Sequence, residues 1–236
     1  YGKELRPKVD FASLVRRIGL ETDIQRIRFM SPHPTNLSQE LIQEFESNQA
    51  LCPYIHLPIQ SGSTEILKKM RRSYTRDIFL KKVKSLRQAC PEIAITTDII
   101  VGFPGETEAH FEETLSLIRE MRFDGIYAFI YSPRPGTEAA QWEDDIPLSV
   151  KEERLRTLLA LQKENSYKNH KNRVGLCEEV LVEGESKKGE GQLMGRTWHN
   201  RIVNFYGDPQ HIGDIMKVKV IEAQPYSLSG EIVDKT

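Results

Sequence analysis

The 236-residue chain has only three cysteines, Cys52, Cys90 and Cys177, an odd number lying far apart. A disulfide framework is therefore not expected, and no C-x-x-C or C-x-x-x-C is present. This usage points to a reducing compartment, with the thiols acting as small buried hydrophobes. The expected location is cytoplasmic. No apolar run approaches the ~20 residues that span a bilayer, so neither a transmembrane helix nor a membrane partner is expected. Charge of one sign is also missing. Lys and Arg number 33 against 34 Asp and Glu, which excludes a polybasic protein but leaves room for a local basic patch. Low-complexity segments and long-period repeats are absent. A signal-peptide pattern is missing as well. The first residue is Tyr1 rather than Met, and the expectation is a fragment with residues missing upstream.

What is present alternates between strand and helix. Asp10 can cap a helix with Phe11, Leu14, Val15 and Ile18 on one face and Gly19 as its stop. Residues 26–31 read as a strand, and Ser38 caps a helix carrying Leu41, Ile42 and Phe45. Residues 54–59 are strand-like and lead through Gln60-Ser61-Gly62-Ser63 into a helix; Thr75 opens another. Residues 93–103 form a nearly continuous β-branched run, as in a strand buried on both faces. A helix with Phe111, Leu115, Ile118 and Met121 and a strand over 126–131 follow. Repeated β-loop-α order predicts an α/β fold, a partial parallel barrel with helices outside, over 1–147. Ser149 with Glu152 forms a capping box for a connecting helix over 148–173. Beyond it the hydrophobic period becomes two, with five strands near 179–183, 193–197, 202–205, 215–221 and 229–233. Residues 174–236 are therefore expected to form a small all-β barrel.

Ligands of parallel barrels bind at the carboxyl ends of the strands. Here those ends carry four proline- or glycine-shaped loops, at Ser31–Pro34, Gln60–Ser63, Gly102–Glu106 and Ser132–Thr137. Thr96, Thr97 and Asp98 interrupt an apolar strand, and a buried carboxylate needs a partner. It faces either a ligand's hydroxyl or amino groups or an internal cation. His56 reads as a core hydrogen-bonder or as a catalytic group. Gly102 and Gly105 permit close backbone approach, or simply turn the chain. Lys68, Lys69, Arg71 and Arg72 form a basic cluster that meets phosphate or is a solvated face. In the β-module, Arg196, Trp198, His199, Asn200, Arg201, Asn204, Phe205 and Tyr206 combine cations, amides and rings in the manner of base-stacking barrel faces. The plain alternative is an exposed hairpin plugged by Trp198.

Several stretches together resemble the radical S-adenosylmethionine methylthiotransferases. They are Ser31–Pro34, His56–Ser63 (HLPIQSGS), Thr96–Thr107 (TTDIIVGFPGET) and Tyr131–Thr137 (YSPRPGT), with a tail, Gly191–Thr197 and Asn200–Phe205, resembling the family's TRAM domain. The loop SPRPGT resembles the tRNA-modifying members; those acting on a ribosomal protein carry a more acidic version. Ser31–Pro34 resembles the Ser-His-Pro signature of the group acting on dimethylallyladenosine, with Pro32 inserted.

The resemblance implies methylthiolation at C2 of N(6)-dimethylallyladenosine next to the anticodon of tRNA. One 4Fe-4S cluster on a C-x-x-x-C-x-x-C loop cleaves S-adenosylmethionine to a radical. A second cluster supplies sulfur, and another S-adenosylmethionine supplies the methyl group. This chain contains neither cysteine set, so the resemblance places both before Tyr1. No metal ligand and no catalytic residue is carried over, and the isolated chain is expected to be inactive. The pocket is carried over. Gln60, Ser61, Thr97, Asp98, Gly102 and Glu106 are expected at the cofactor. Tyr131, Arg134, Thr137, Lys68, Arg71, Arg72, Arg196, Trp198, Asn200 and Arg201 are expected at the RNA. Implied partners are a tRNA anticodon stem-loop and an electron donor, with the protein a monomer. Two other readings stand beside this one: a methylthiotransferase for a ribosomal protein, and a non-catalytic RNA-binding protein.

Overall fold

The computed structural model describes residues 2, 4–6, 9–30 and 32–233. It opens with helix α1 (Phe11–Glu21), capped by Asp10, whose carboxylate accepts the Ser13 amide at 2.7 Å. The helix runs past Gly19. A side chain there would strike the carboxamide of Asn48, which itself donates to the Val15 carbonyl. Gly19 thus permits a close approach and is not a stop. The expected strand over 26–31 shrinks to one parallel bridge, Ile27 to Leu51, in which the Ile27 amide donates to the Ala50 carbonyl and the Cys52 amide to the Ile27 carbonyl; Ser31 lies outside the described residues.

Helix α2 (Gln39–Ser47) leads to strand β1 (Tyr54–His56). Then come α3 (Thr64–Lys69), α4 (Arg76–Ala89), β2 (Ala94–Val101), α5 (Glu108–Met121) and β3 (Gly125–Ile130). The three strands make a parallel sheet in the order β1-β2-β3. β1 ends earlier than the expected 54–59 because Pro58 has no amide to pair. The Thr97 hydroxyl bridges that gap, accepting from the Ile59 amide and donating to the Leu57 carbonyl. Pairing resumes at Gln60, which bridges to Ile99.

The two faces of this sheet differ. Ile55, Ile95, Ile99 and Val101 are buried with helix residues Leu67, Phe79, Leu86, Phe111 and Ile118 in one core. Tyr54, His56, Thr96, Asp98, Tyr127 and Phe129 alternate with them and occupy the opposite face, as the period of two requires.

Helix α6 (Leu148–Lys171) begins one residue before Ser149. The Val150 and Lys151 amides pair with the Pro147 carbonyl, so Ser149 lies inside the first turn and caps nothing. Leu158 is buried and Gln162 donates to the Phe123 carbonyl, whereas Leu159 is exposed. Two units are distinguished, Tyr1–Gln162 and Lys163–Thr236.

In the second unit, β4 (Cys177–Glu185), β5 (Gln192–Thr197), β6 (Ile202–Tyr206), β7 (Ile215–Ala223) and β8 (Leu228–Ile232) close a barrel in the order β4-β5-β6-β8-β7. Only β6 and β8 run parallel. Val180, Val182, Leu193, Val203, Phe205, Val218, Val220 and Leu228 fill it. Gly195 and Gly230 leave room for the chain opposite; a Cβ at either would collide with Leu181 or Val218. No helix among the described residues is long and apolar enough to cross a membrane.

Candidate functional site

The carboxyl ends of β1, β2 and β3 converge on a cleft of about 680 Å³. That is the size of pockets that take small ligands. Gln60, Asp98 and Ile100 line its floor; Phe103, Phe129 and Tyr131 form an aromatic wall. Gln60 adopts the left-handed backbone (φ +77°) that side chains seldom accept, where the chain leaves β1. Lys69, Arg71, Arg72 and Arg134 stand at the rim with Thr137 and Glu138, and Arg71 is ion-paired to Glu138.

Asp98 has its partner. The His56 ring reaches its carboxylate through Nε2 at 3.3 Å and contacts the Thr96 hydroxyl through Nδ1 at 2.9 Å. Tyr54 meets the same hydroxyl at 3.0 Å. His56 is thus a buried hydrogen-bonder that orients a carboxylate, and Tyr127 packs edge-on against it. Asp98 keeps 27% of its side chain accessible, so an oxygen remains for a ligand. The Tyr131 hydroxyl is shielded and finds no hydrogen-bond partner among the described residues. Beside the rim, His33 packs on Tyr74, and burial with the nearby Arg72 charge lowers its pKa.

The cleft therefore brings together Gln60, Asp98, Tyr131, Arg134, Thr137, Arg71 and Arg72. Five other expected residues lie outside its lining. Ser61 is buried and accepts the Ser63 amide at the entry to α3. Thr97 points to the opposite face of β2 from Asp98 and stitches the strand ends. Gly102 (φ +71°) donates to Glu106, whose buried carboxylate is held by Arg154. Burial pushes the Glu106 pKa up, against the opposing pull of the Gly102 amide and Arg154. Lys68 lies one helical step from the lining residue Lys69 and is exposed. Sequence reasoning passed over Ile100, Phe103 and Phe129. The period-two pairing of Ile100 with Phe129, two residues beyond Asp98, was the available signal.

The barrel's β5–β6 hairpin holds the remaining candidates. Asn200 (φ +64°) turns the chain, and the Thr197 hydroxyl accepts the Arg201 amide. Arg196 pairs with Glu183 at 3.1 Å and reaches the Asn200 carbonyl at 3.4 Å. Trp198 and Arg201 are likewise engaged within the fold. Burial, reinforced by the Arg201 and Arg173 charges, pushes the His199 pKa down to about 3.

An iron–sulfur cluster does not fit these residues. Among the described residues no three His, Cys, Asp or Glu side chains gather to hold a metal. Cys52 is buried, Cys90 is half-buried, and burial raises the pKa of both thiols; Cys177 is exposed.

Residues 4–118 match the radical SAM superfamily model, and residues 171–233 match the TRAM domain. Proteins named tRNA-2-methylthio-N(6)-dimethylallyladenosine synthase are similar along the whole chain. The one from Clostridium botulinum (strain Okra / Type B1) is 49% identical over 98% of this chain and 51% of its own length. That from Syntrophotalea carbinolica is 49% identical over 99% of this chain and 53% of its own. Clostridium novyi supplies a third, 46% identical over 99% and 52%. The chain thus spans about half the length of these relatives. Coproporphyrinogen III oxidase (HemN) from Escherichia coli, a radical SAM enzyme, aligns at a TM-score of 0.49 and 14% identity over 87% of this chain and 51% of that one, too slight a likeness to carry weight. Along the chain, the match to the radical SAM superfamily model is thus followed by the match to the TRAM domain.

Proposed function

We propose that the chain is part of a tRNA methylthiotransferase acting at C2 of N(6)-dimethylallyladenosine beside the anticodon. The observation that carries this is identity of 49% across 98% of the chain, cleft and barrel alike, to relatives bearing that name. In this reading residues 1–147 belong to the radical SAM domain, 148–173 connect, and 174–236 bind RNA. The superfamily implies S-adenosylmethionine and iron–sulfur chemistry. When bound, S-adenosylmethionine supplies the 5′-deoxyadenosyl radical and the methyl group. The residues lining the cleft suit such a ligand: the Asp98 carboxylate would accept from its hydroxyl or ammonium groups, and the Gln60 amide and Tyr131 hydroxyl would offer further polar contacts. Phe103 and Phe129 would offer aromatic surface to a flat ring. The rim cations of the first unit and, separately, the β5–β6 hairpin of the second would each offer cations to RNA phosphates. The described residues offer no set of ligands for an iron–sulfur cluster, so none of them is assigned to one. An electron donor, a monomeric state and a cytoplasmic location complete the reading.

The test is anaerobic reconstitution of the longer protein with iron, sulfide, S-adenosylmethionine and a reductant. The substrate is a dimethylallylated anticodon stem-loop, and digested nucleosides are weighed by mass spectrometry. A methylthio product is expected. Asp98→Asn should lower kcat/KM by roughly 10- to 100-fold, as loss of a charged hydrogen bond does, with RNA affinity kept. Modification of a ribosomal peptide in place of RNA overturns the proposal, as does RNA binding with no iron and no product.

A further inference from the structure

The loop after β2 is closed by the protein itself. The Gly102 amide donates to Glu106 Oε2 at 2.7 Å, and Arg154 of α6 donates to that oxygen at 2.9 Å and to the Glu106 carbonyl at 3.0 Å. One turn earlier on α6, Lys151 enters the same place with 2% of its surface exposed. Its aliphatic stem fills the space that a Gly102 side chain would need. Its ammonium pairs with Asp144 at 2.5 Å and lies 5.7 Å from the centre of the Tyr131 ring. Phe103 packs edge-on between Tyr131 (4.9 Å) and Trp142 (5.9 Å). Two basic side chains of one helix thus grip both loops that wall the cleft.

We propose that Lys151 and Arg154 are positioning residues. They act through Gly102, Glu106, Asp144 and Tyr131 to fix the loops after β2 and β3, and so the place of Phe103 and Tyr131 at the ligand. Apolar side chains would fill this space with as much stability and less desolvation. Charge-assisted hydrogen bonds add direction, which a cleft needs and a core does not. The inference rests on the cleft being the ligand site. Its principal readout needs neither ligand nor reaction, so it can fail or stand apart from the proposed function.

The variants are Lys151→Met, which keeps the stem and deletes the charge, and Asp144→Asn at the partner. Amide hydrogen exchange is followed in the ligand-free chain, with Trp142 emission recorded in a Trp198→Phe background. Exchange over 102–106 and 131–145 should rise about tenfold, the response to losing about 1.4 kcal/mol of local order. Segments in α4 and the barrel should stay unchanged, and the double variant should add nothing further. Arg154→Lys should loosen only 102–106, since it loses the forked contact and keeps the charge. In the reconstituted longer protein, KM should rise more than kcat falls. Wild-type exchange and Trp142 emission in Asp144→Asn, or loosening spread evenly over the unit, overturns the proposal. Asp144 is half exposed, so that variant serves even if Lys151→Met fails to fold.

Discussion

The two units solve the same problem in opposite ways. The barrel closes its hydrogen-bond ladder with the parallel β6–β8 pair and turns one face of every strand inward, so that Phe205 keeps only 1% of its surface. The three-stranded sheet covers one face with helices and leaves the β3 side of the other open, with Tyr127 and Phe129 at 55% and 54% exposure while Tyr54 and His56 are buried. Parallel sheets are normally covered on both sides. Aromatic surface thus lies open beside the charged rim, while the barrel's interior is filled by its own side chains. The ladder that closes the barrel leaves its chemistry to hairpins and outward faces. The cleft puts its chemistry on the strand ends and the open face.

The sharpest way to break this contrast is to truncate a ring in each unit. Phe205→Ala should cost about 3–5 kcal/mol, since it empties the barrel centre. Phe129→Ala should stay within about 0.5 kcal/mol, as an exposed position does. Urea unfolding of both variants decides it, and equal losses would mean that the open face is structural.

Glycine substitutions probe closeness of packing in each unit. Gly195→Ala drives a methyl into the Leu181 carbonyl across the barrel wall, and Gly62→Ala drives one into the backbone at Thr114. Each should cost about 1–3 kcal/mol, the range for overpacking. Gly184→Ala meets nothing within 4 Å and should be mild in a thermal melt.

Most of this architecture is legible because apolar periods are long and unambiguous. The β-branched run at 94–101 and the five alternating segments after Cys177 name their own elements. What the sequence does not reveal shares a cause: a side chain's contacts are decided by a distant partner. Gly19 reads as a stop, yet Asn48 explains it. Thr97 reads as a ligand contact beside Asp98, yet Pro58, nearly forty residues away, leaves a gap that its hydroxyl fills. Glu106 reads as part of the cofactor site until Arg154 appears beside it. Asp98 was readable as a buried carboxylate in need of company, but nothing local says that His56 supplies it.

Acid should separate the units by a smaller amount. The His199 imidazole refuses a proton in the folded barrel down to about pH 3, whereas in the unfolded chain it accepts one near 6.5. Its folded pKa is depressed, so between those values the unfolded state binds the extra proton and the barrel loses stability as pH falls. The melting temperature of the barrel transition should drop between pH 7.5 and 4.5, beyond the carboxylate contribution. His199→Asn should flatten that slope. An unchanged slope would mean that His199 is solvated.

The smallest effect concerns the cations proposed to meet RNA. Arg72 stands at the cleft rim with no ion pair among the described residues, whereas Arg196 on the barrel is held by Glu183. A phosphate meeting Arg72 replaces only water and counterions; one meeting Arg196 must also compete with a carboxylate. Arg72→Ala should therefore reduce the slope of log affinity against log salt by about 0.7–0.9, the loss of one phosphate contact. Arg196→Ala should reduce it less, and Glu183→Gln should raise affinity by freeing that guanidinium. Titrating a labelled anticodon stem-loop at several salt concentrations measures all three. A larger slope change at Arg196 than at Arg72 would move the main phosphate contact from the cleft to the barrel, and the division between a binding cleft and a self-sufficient barrel would have to be redrawn.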